Sequence, residues 1–343
     1  TVALYAVIGV YALFGLHHQK VEYRFFAFYL VAMSGNIGLI LAQDAASFYA
    51  LFALMSFSAF GFVAYSHSQN ARHAARVYII MVMFSEVLIF SGLAMAVSNG
   101  SHYLADVPGQ VLASPLRNVI MLMLVAGFGI KVGLFPLHIW LPVSYRTAPI
   151  PGVALLSACM SKAGILGWMQ CLTAVGVGLP DWGTLLIHGG FFTTFFALFM
   201  GIHQRAPQSA LAYSSMSKMG MLTALVGMSL ISPQATGVIN GVIILYVLHH
   251  AAAKAALFLG LGVLHTMPEG RWGRVLVWTG MAIPALSLAG LPWSSGMVAK
   301  LAMKKAAHAS LVHTDRIITG LLPLVALLTT LLMVRFFILA RRE

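Results

Sequence analysis

Apolar runs of about 20 residues recur along this sequence, the length an α-helix needs to cross a bilayer. In hydrocarbon every backbone N–H and C=O must find a partner within the protein, so spanning segments are helices or closed barrels. Runs this long belong to helices, because a barrel strand crosses in about ten residues. The chain is 60% hydrophobic and only 8% charged, against roughly 25% charged in soluble domains. Eleven segments follow: 1–16, 25–43, 47–66, 77–98, 117–135, 152–176, 183–203, 208–230, 236–265, 275–305 and 316–338. The class is an all-α polytopic membrane protein. Residues 1–343 form one membrane domain, since the longest polar link, 99–116, is too short for a second. The first segment opens at Thr1 inside an apolar run, with no initiator Met and no signal-peptide pattern. We expect N-terminal helices to precede it in a longer protein.

The net charge of +12 would suggest nucleic acid in a soluble protein. Its distribution points elsewhere. If the segments alternate, one side holds Lys20, Arg24, Arg72, Arg76, Arg146, Arg205, Arg271, Arg274, Arg341 and Arg342. The other side holds Arg117, Lys304, Lys305 and Arg316. That asymmetry obeys the positive-inside rule and makes the first side cytoplasmic. The basic excess is topology, and no nucleic-acid partner is expected. The lipid bilayer is the environment, with a multi-pass location in the cytoplasmic (inner) membrane.

Lys131 lies within an apolar stretch, and GIKVGLFPLHIWLP (129–142) surrounds it. A charged amine at membrane depth costs about 2.5–3.5 kcal/mol on insertion scales, so such lysines are rare and functional by default. Pro136 cannot continue a regular helix. An ionisable group beside a helix break is how transporters build an ion site. Lys300 repeats the pattern, following GLPWSSG (290–296) five segments later. An odd offset turns the second copy over in the membrane, as in an inverted repeat.

Seven of eight acids (Glu22, Asp44, Asp106, Asp181, Glu269, Asp315, Glu343) fall in links or at ends, and Glu86 sits mid-span. It is either a neutral carboxyl bonded to a neighbouring helix or a proton-carrying partner for a lysine. At ~1.5 Å per residue, Glu86 and Lys131 lie at matching depth, about 18–20 Å from the non-cytoplasmic ends of their helices. Lys162, Lys218 and Lys254 are also deep, and His250 shares a helical face with Lys254, four residues on. His249 turns away and is the blander of the two. One mid-helix lysine can snorkel to an interface; five across five helices need another account. Each charge disfavours the next, so such a row can relay protons or cations. Metal binding by His249, His250 and Lys254 is the weaker reading, because adjacent histidines diverge and no thiolate or carboxylate is near. Ser214, Ser215 and Ser217 read as helix-packing residues. Cys159 and Cys171 cannot ligate an iron–sulfur cluster, which needs four ligands, and no dinucleotide or phosphate loop occurs. No cofactor is expected in this chain.

These residues resemble the antiporter-like subunits of respiratory complex I and of its relatives, the membrane-bound hydrogenases and multisubunit cation/proton antiporters. The matching blocks run in family order: GIKVGLFPLHIWLPVSYRTAPIPGVALLS (129–157), LAYSSMSKMG (211–220), HHAAAKAALFLGLG (249–262) and AGLPWSSGMVAK (289–300), with GNIGLILAQD (35–44) upstream. AGFGIKVGLFPLHIWLP and MSKAGILG (160–167) are similar to the large membrane subunit of group-four hydrogenases and formate hydrogenlyase. The resemblance implies an antiporter-like bundle of two inverted five-helix repeats, 25–176 and 183–338, each with a broken helix. It implies a central gated lysine at Lys131, connecting positions at Lys162, His250 and Lys254, and a terminal site at Lys300.

Three positions depart from the family. Ala53 stands where a glutamate pairs with the central lysine, Lys218 where His or Gln is usual, and Val143 where an acid follows the WLP. Glu86, one helix later, is the candidate substitute. The leading expectation is a proton-translocating, non-redox subunit of a complex I-related respiratory or hydrogenase assembly. Its proton path comprises Lys131, Glu86, Lys162, Lys218, His250, Lys254 and Lys300, and its partners are other membrane subunits, with iron–sulfur clusters on redox subunits. The alternatives are a cation/proton antiporter or inorganic-carbon uptake subunit, and a structural subunit that no longer pumps.

Overall fold

The structure, a computed structural model, describes residues 1–16, 23–66, 68–98, 100–173, 177–266, 270–309 and 315–342. Lys20, Glu22, Glu269 and Glu343, placed above in links or at ends, lie outside the described residues, as do 174–176 at the end of the sixth segment. The described residues form fifteen helices: α1 (Val2–Leu16), α2 (Tyr23–Leu41), α3 (Ala45–Val63), α4 (Gln69–Val97), α5 (Val107–Ala113), α6 (Arg117–Val132), α7 (Trp140–Thr147), α8 (Ile150–Ala158), α9 (Ala163–Cys171), α10 (Pro180–Ile202), α11 (Pro207–Ile231), α12 (Thr236–Thr266), α13 (Arg271–Ala289), α14 (Ser295–Ala309) and α15 (Asp315–Ala340). Every predicted segment is a helix or a pair of helices. Seven helical stretches are long and apolar enough by themselves to cross a membrane. Of the other four segments, α1 is short, α6 and α13–α14 are interrupted, and α11 carries Ser209, Ser214, Ser215, Ser217 and Lys218.

Three boundaries differ from expectation. The fourth segment begins at Gln69 rather than 77, because the Ser68 hydroxyl accepts the Ala71 N–H at 3.1 Å and caps the helix early. Arg72 and Arg76 therefore ride on α4 rather than in a link. The polar link 99–116 contains α5. The sixth segment is two short helices joined by a 3-10 turn, Met160–Lys162, and α9 ends at Cys171.

The links sort onto two faces as alternation requires. Ser66, Asn70, Arg146, Thr147, Gln204 and Ser209 line one surface pocket of about 530 Å³, so the α3–α4, α7–α8 and α10–α11 connections share the basic face. On the opposite face Ala45 N–H donates to His102 C=O at 2.9 Å and Leu179 N–H to Leu230 C=O at 2.7 Å.

The two halves repeat one element order, three helices, a broken helix and a closing segment: α2, α3, α4, α6–α7, α8–α9, then α10, α11, α12, α13–α14, α15. At the centre α11 is buried along nearly its whole length. It packs on α10 through facing glycines; a Cβ on Gly220 would sit 2.5 Å from the Gly190 carbonyl oxygen. Small residues of this kind let membrane helices approach backbone to backbone.

Candidate functional site

Both breaks are built from the same local chemistry. Gly133 (φ 78°, ψ 38°) and Gly290 (φ 83°, ψ 40°) are left-handed C-caps, a conformation a Cβ disfavours. Gly133 N–H donates to Gly129 and Ile130, and Leu134 N–H to Gly129; Gly290 N–H donates to Leu286 and Ser287, and Leu291 N–H to Leu286. Groups freed by the first break are taken by neighbours. Trp140 Nε1 donates to the Ile130 carbonyl at 2.7 Å, and Phe135 N–H to Thr193 Oγ1 at 3.1 Å.

Lys131 occupies the last turn of α6, where the partial negative charge of a helix C-terminus favours a cation. Glu86 reaches it from α4, which is held to α6 by the Ser85 hydroxyl donating to the Gly127 carbonyl at 2.8 Å, one turn before Lys131. Lys131 Nζ and Glu86 Oε1 are 3.6 Å apart, with the two residues 5% and 3% exposed. The ammonium also lies 5.7 Å from the Phe52 ring centre and 6.0 Å from that of Tyr78, within cation–π range. At 3.6 Å the pair is an ion pair without a short hydrogen bond, and neither Glu86 oxygen has another partner among the described residues. Beside it lies a cavity of about 10 Å³, lined by Ser56, Tyr78, Lys131, Trp140 and Ser161 among others, near the room one water requires. Ser161, one of its lining residues, touches the next lysine.

That lysine is Lys162, in the 3-10 turn between α8 and α9; its ammonium donates to the Ser157 carbonyl and lies 3.3 Å from Ser161 Oγ. Lys254 on α12 donates to the Leu211 carbonyl of α11 at 2.9 Å. Lys218 on α11 donates to Thr329 Oγ1 of α15 at 2.9 Å. Lys218, Lys254 and His250 are 0% exposed and Lys162 is 7%, so none of these side chains snorkels. The His250 ring is buried with neither nitrogen hydrogen-bonded among the described residues. Lys300, half-buried on α14, reaches back across the second break to the Ala289 carbonyl, at the C-terminus of α13. Six of the seven candidate residues are therefore buried inside the bundle and Lys300 is half-buried, and one pair, Lys131 with Glu86, is in direct contact.

His249, read above as bland, shares a 2.8 Å hydrogen bond between Nδ1 and Ser295 Oγ, at the start of α14. Ser295 in turn meets Ser287 Oγ at 3.1 Å, so His249 ties α12 to both sides of the second break. Ser215, read as packing, bonds Ser157 at 3.0 Å. Phe52, Tyr78 and Thr329 were equally invisible as site residues. The sequence signal that could have found Ser215 is polarity on a segment with no solvent-facing side, the run SALAYSSMSK (209–218). Ser144 Oγ, in α7, is buried with no hydrogen-bond partner among the described residues.

A half-open cavity of about 480 Å³ lies between α2, α9 and α12 and reaches Lys162, with Asn36, Gln170 and Asn240 among its walls. Both cysteines are buried free thiols. Among the described residues no group of three or more His, Cys, Asp or Glu side chains is placed to hold a metal ion.

The sequence pattern of the family described as NADH:quinone oxidoreductase/Mrp antiporter, TM matches residues 42–320, most of the chain. This protein is a member of that family. It is an antiporter-like, multi-pass membrane subunit. It is 29% identical to a Na(+)/H(+) antiporter subunit of Alkalihalophilus pseudofirmus, over 99% of this chain and 71% of that protein. It is 28% identical to hydrogenase-4 component B of Escherichia coli, over 79% of this chain and 43% of that protein; the chain thus spans less than half of the second relative. Among solved structures, the Mrp complex of a Dietzia species aligns over 90% of this chain and 59% of its own, with a TM-score of 0.79 at 23% identity. The membrane-bound sulfane sulfur reductase, an archaeal respiratory membrane complex, aligns over 98% of this chain and 70% of its own, with a TM-score of 0.79 at 20% identity. These two likenesses concern the fold, and they agree with an all-helical, antiporter-like bundle.

Proposed function

We propose that this subunit moves protons across the bilayer within a multisubunit energy-converting complex, with any redox chemistry and its iron–sulfur clusters on partner subunits. The single observation that carries the reading is the buried Lys131–Glu86 pair, 3.6 Å apart beside a helix break. A carboxylate and an amine in low dielectric strongly affect each other's protonation, so separating or closing the pair changes where a proton resides. The repeats 25–176 and 183–338 are the two working halves, and the basic face is cytoplasmic. Entry from that face runs along α7, whose outer end (Arg146, Thr147) lines the polar pocket and whose inner Trp140 lines the Lys131 cavity. Lys162, His250, Lys254 and Lys218 are the relay, and Lys300 the exit-side group.

Ala53 argued for a subunit that had lost conduction. Glu86 answers that argument, because it supplies from α4 the carboxylate that α3 lacks. A second reading, a sodium/proton antiporter module, is favoured by the likeness to a Na(+)/H(+) antiporter component. Sodium wants oxygen ligands, and among the described residues Glu86 is the one acid found mid-span in a helix.

The test measures coupled proton movement in membrane vesicles that contain the assembled complex. Lys131→Ala and Glu86→Ala should each abolish it, and Ala53→Glu added to Glu86→Ala should restore part of it. Unchanged coupling in both single variants sinks the relay. Loss of coupling on sodium removal would favour the antiporter module.

A further inference from the structure

One hydrogen-bonded line crosses from the first half of the molecule to the second. On the first side the Lys162 ammonium bonds the Ser157 carbonyl. The Ser157 hydroxyl lies 3.0 Å from the Ser215 hydroxyl, which joins α8 to α11. Ser215 then donates to the Leu211 carbonyl at 3.0 Å, and Lys254 donates to the same oxygen at 2.9 Å. Ser157, Ser215 and Lys254 are completely buried.

Counting protons gives this line two settings of the Ser215 hydroxyl. A serine hydroxyl has a single proton to donate, and that of Ser215 has both Ser157 Oγ and the Leu211 carbonyl in range. In the setting where it goes to Leu211, Ser157 is the donor in the serine pair. Donation therefore runs from α8 to α11 and stops on a carbonyl oxygen, which accepts a hydrogen bond but has no proton to pass on. Lys254 stops on the same oxygen from the other side. The line is complete in contacts and closed to protons.

Because Ser215 and Lys254 bond one oxygen, the two donors lie within the sum of two hydrogen bonds of each other. A lysine that has lost its proton gains a lone pair that can accept a hydroxyl. We propose that Ser157 and Ser215 carry the proton between the two halves, and that the Ser215 hydroxyl is the gate, turning from the Leu211 carbonyl to the Lys254 nitrogen when Lys254 is a neutral amine. The inference rests on the proton-relay reading above. Opening needs two small motions: the Lys162 ammonium shifts from the Ser157 carbonyl to the Ser157 hydroxyl, and the Ser215 O–H turns about its Cβ–Oγ bond toward Lys254, keeping its oxygen on Ser157. The transfer then balances. Lys162 gives a proton to Ser157 Oγ, Ser157 gives its own to Ser215 Oγ, and Ser215 gives its own to Lys254 Nζ. Lys162 is left a neutral amine, Lys254 an ammonium, and both hydroxyls are intact. The newly charged Lys254 can no longer accept, so Ser215 returns to Leu211 and the way back is shut.

Ser215→Ala and Ser157→Ala should each slow coupled proton movement by about 100-fold, the typical contribution of a positioned proton-transfer group, with the complex assembled in normal amount. Ser215→Thr, which keeps the hydroxyl, should restore most of the rate. A role in packing alone predicts the opposite order, because Ala fits the site and Thr crowds it. If Ser215→Thr fails to assemble, Ser157→Thr against Ser157→Ala makes the same comparison from the other side of the bridge. Wild-type rates in both alanine variants overturn the proposal. So does a threonine variant that assembles and is as slow as alanine. Lys131→Ala in the same vesicles separates the two levels: if it stops transport while Ser215→Ala does not, the bridge alone is wrong; if it also leaves transport intact, the relay fails and the bridge with it.

Discussion

The two helix breaks use one backbone device to hold a lysine in two different ways. In each, a left-handed glycine ends a half-helix with the same cap bonds, and a lysine amine is associated with that half-helix's C-terminal end. Lys131 is there by sequence, in the last turn of α6; Lys300 arrives from beyond the break, reaching back from α14 to Ala289. The first lysine is fully buried and faces a carboxylate and two rings. The second is half-buried, and a carbonyl is its hydrogen-bond partner. At the second break a helix C-terminus holds a lysine that is only half-buried. Lys131, buried at its break, has a counter-charge, which α4 brings with Glu86.

That contrast can be broken at its stronger end first. Glu86→Ala leaves an uncompensated amine at the first break, and removing one partner of a buried pair costs about 3–5 kcal/mol. Thermal unfolding of the detergent-solubilised protein should show a large loss of stability, and Lys131→Met in the same chain should recover most of it. A loss that persists in the double variant would mean that Glu86 supports the fold by some other contact. Lys300→Ala should be milder. It removes one hydrogen bond from a charged donor, worth about 1.5–3 kcal/mol, from a half-buried site. If Lys300→Ala destabilises as much as Glu86→Ala, the two breaks hold their lysines equally firmly and the distinction fails. The smallest effect is in the caps. Gly133→Ala and Gly290→Ala each place a Cβ in left-handed backbone, at about 1–2 kcal/mol, and should both lower the melting temperature. The Cβ at Gly290 also meets the Lys300 side chain, where that at Gly133 meets one Leu141 methyl. Gly290→Ala should therefore be the larger of the two, and Lys300→Ala should remove the excess. An excess that persists without Lys300 would show that the two turns are not the same device.

The breaks themselves were readable in advance. Gly-Leu-Phe-Pro and Gly-Leu-Pro are short-range signals, and the backbone answers to them without reference to distant residues. Depth was readable too, because rise per residue along a helix is constant: Glu86 and Lys131 were expected at one level, and they meet there. The 3-10 turn at Lys162 and the early start of α4 were harder to see, being small adjustments within long apolar runs. His249 and His250 show a sharper failure. One residue's difference along α12 is a turn of 100°, and it faces His249 toward Ser295 while leaving His250 without a hydrogen-bond partner among the described residues. Helical spacing says which residues share a face. It does not say which neighbour that face meets.

The sequence by itself determined that this chain is a bundle of membrane helices, that two of them break at glycine, and that five lysines and one glutamate lie at membrane depth. Those properties are local: run length, turn chemistry and rise per residue. Only the tertiary structure decided that Glu86 answers Lys131, that Lys162 and Lys254 end on opposite sides of a serine pair, and that Lys218 bonds Thr329, more than a hundred residues away. Those contacts depend on how each helix is rotated and which helix packs beside it, and close packing at glycine and serine sets both.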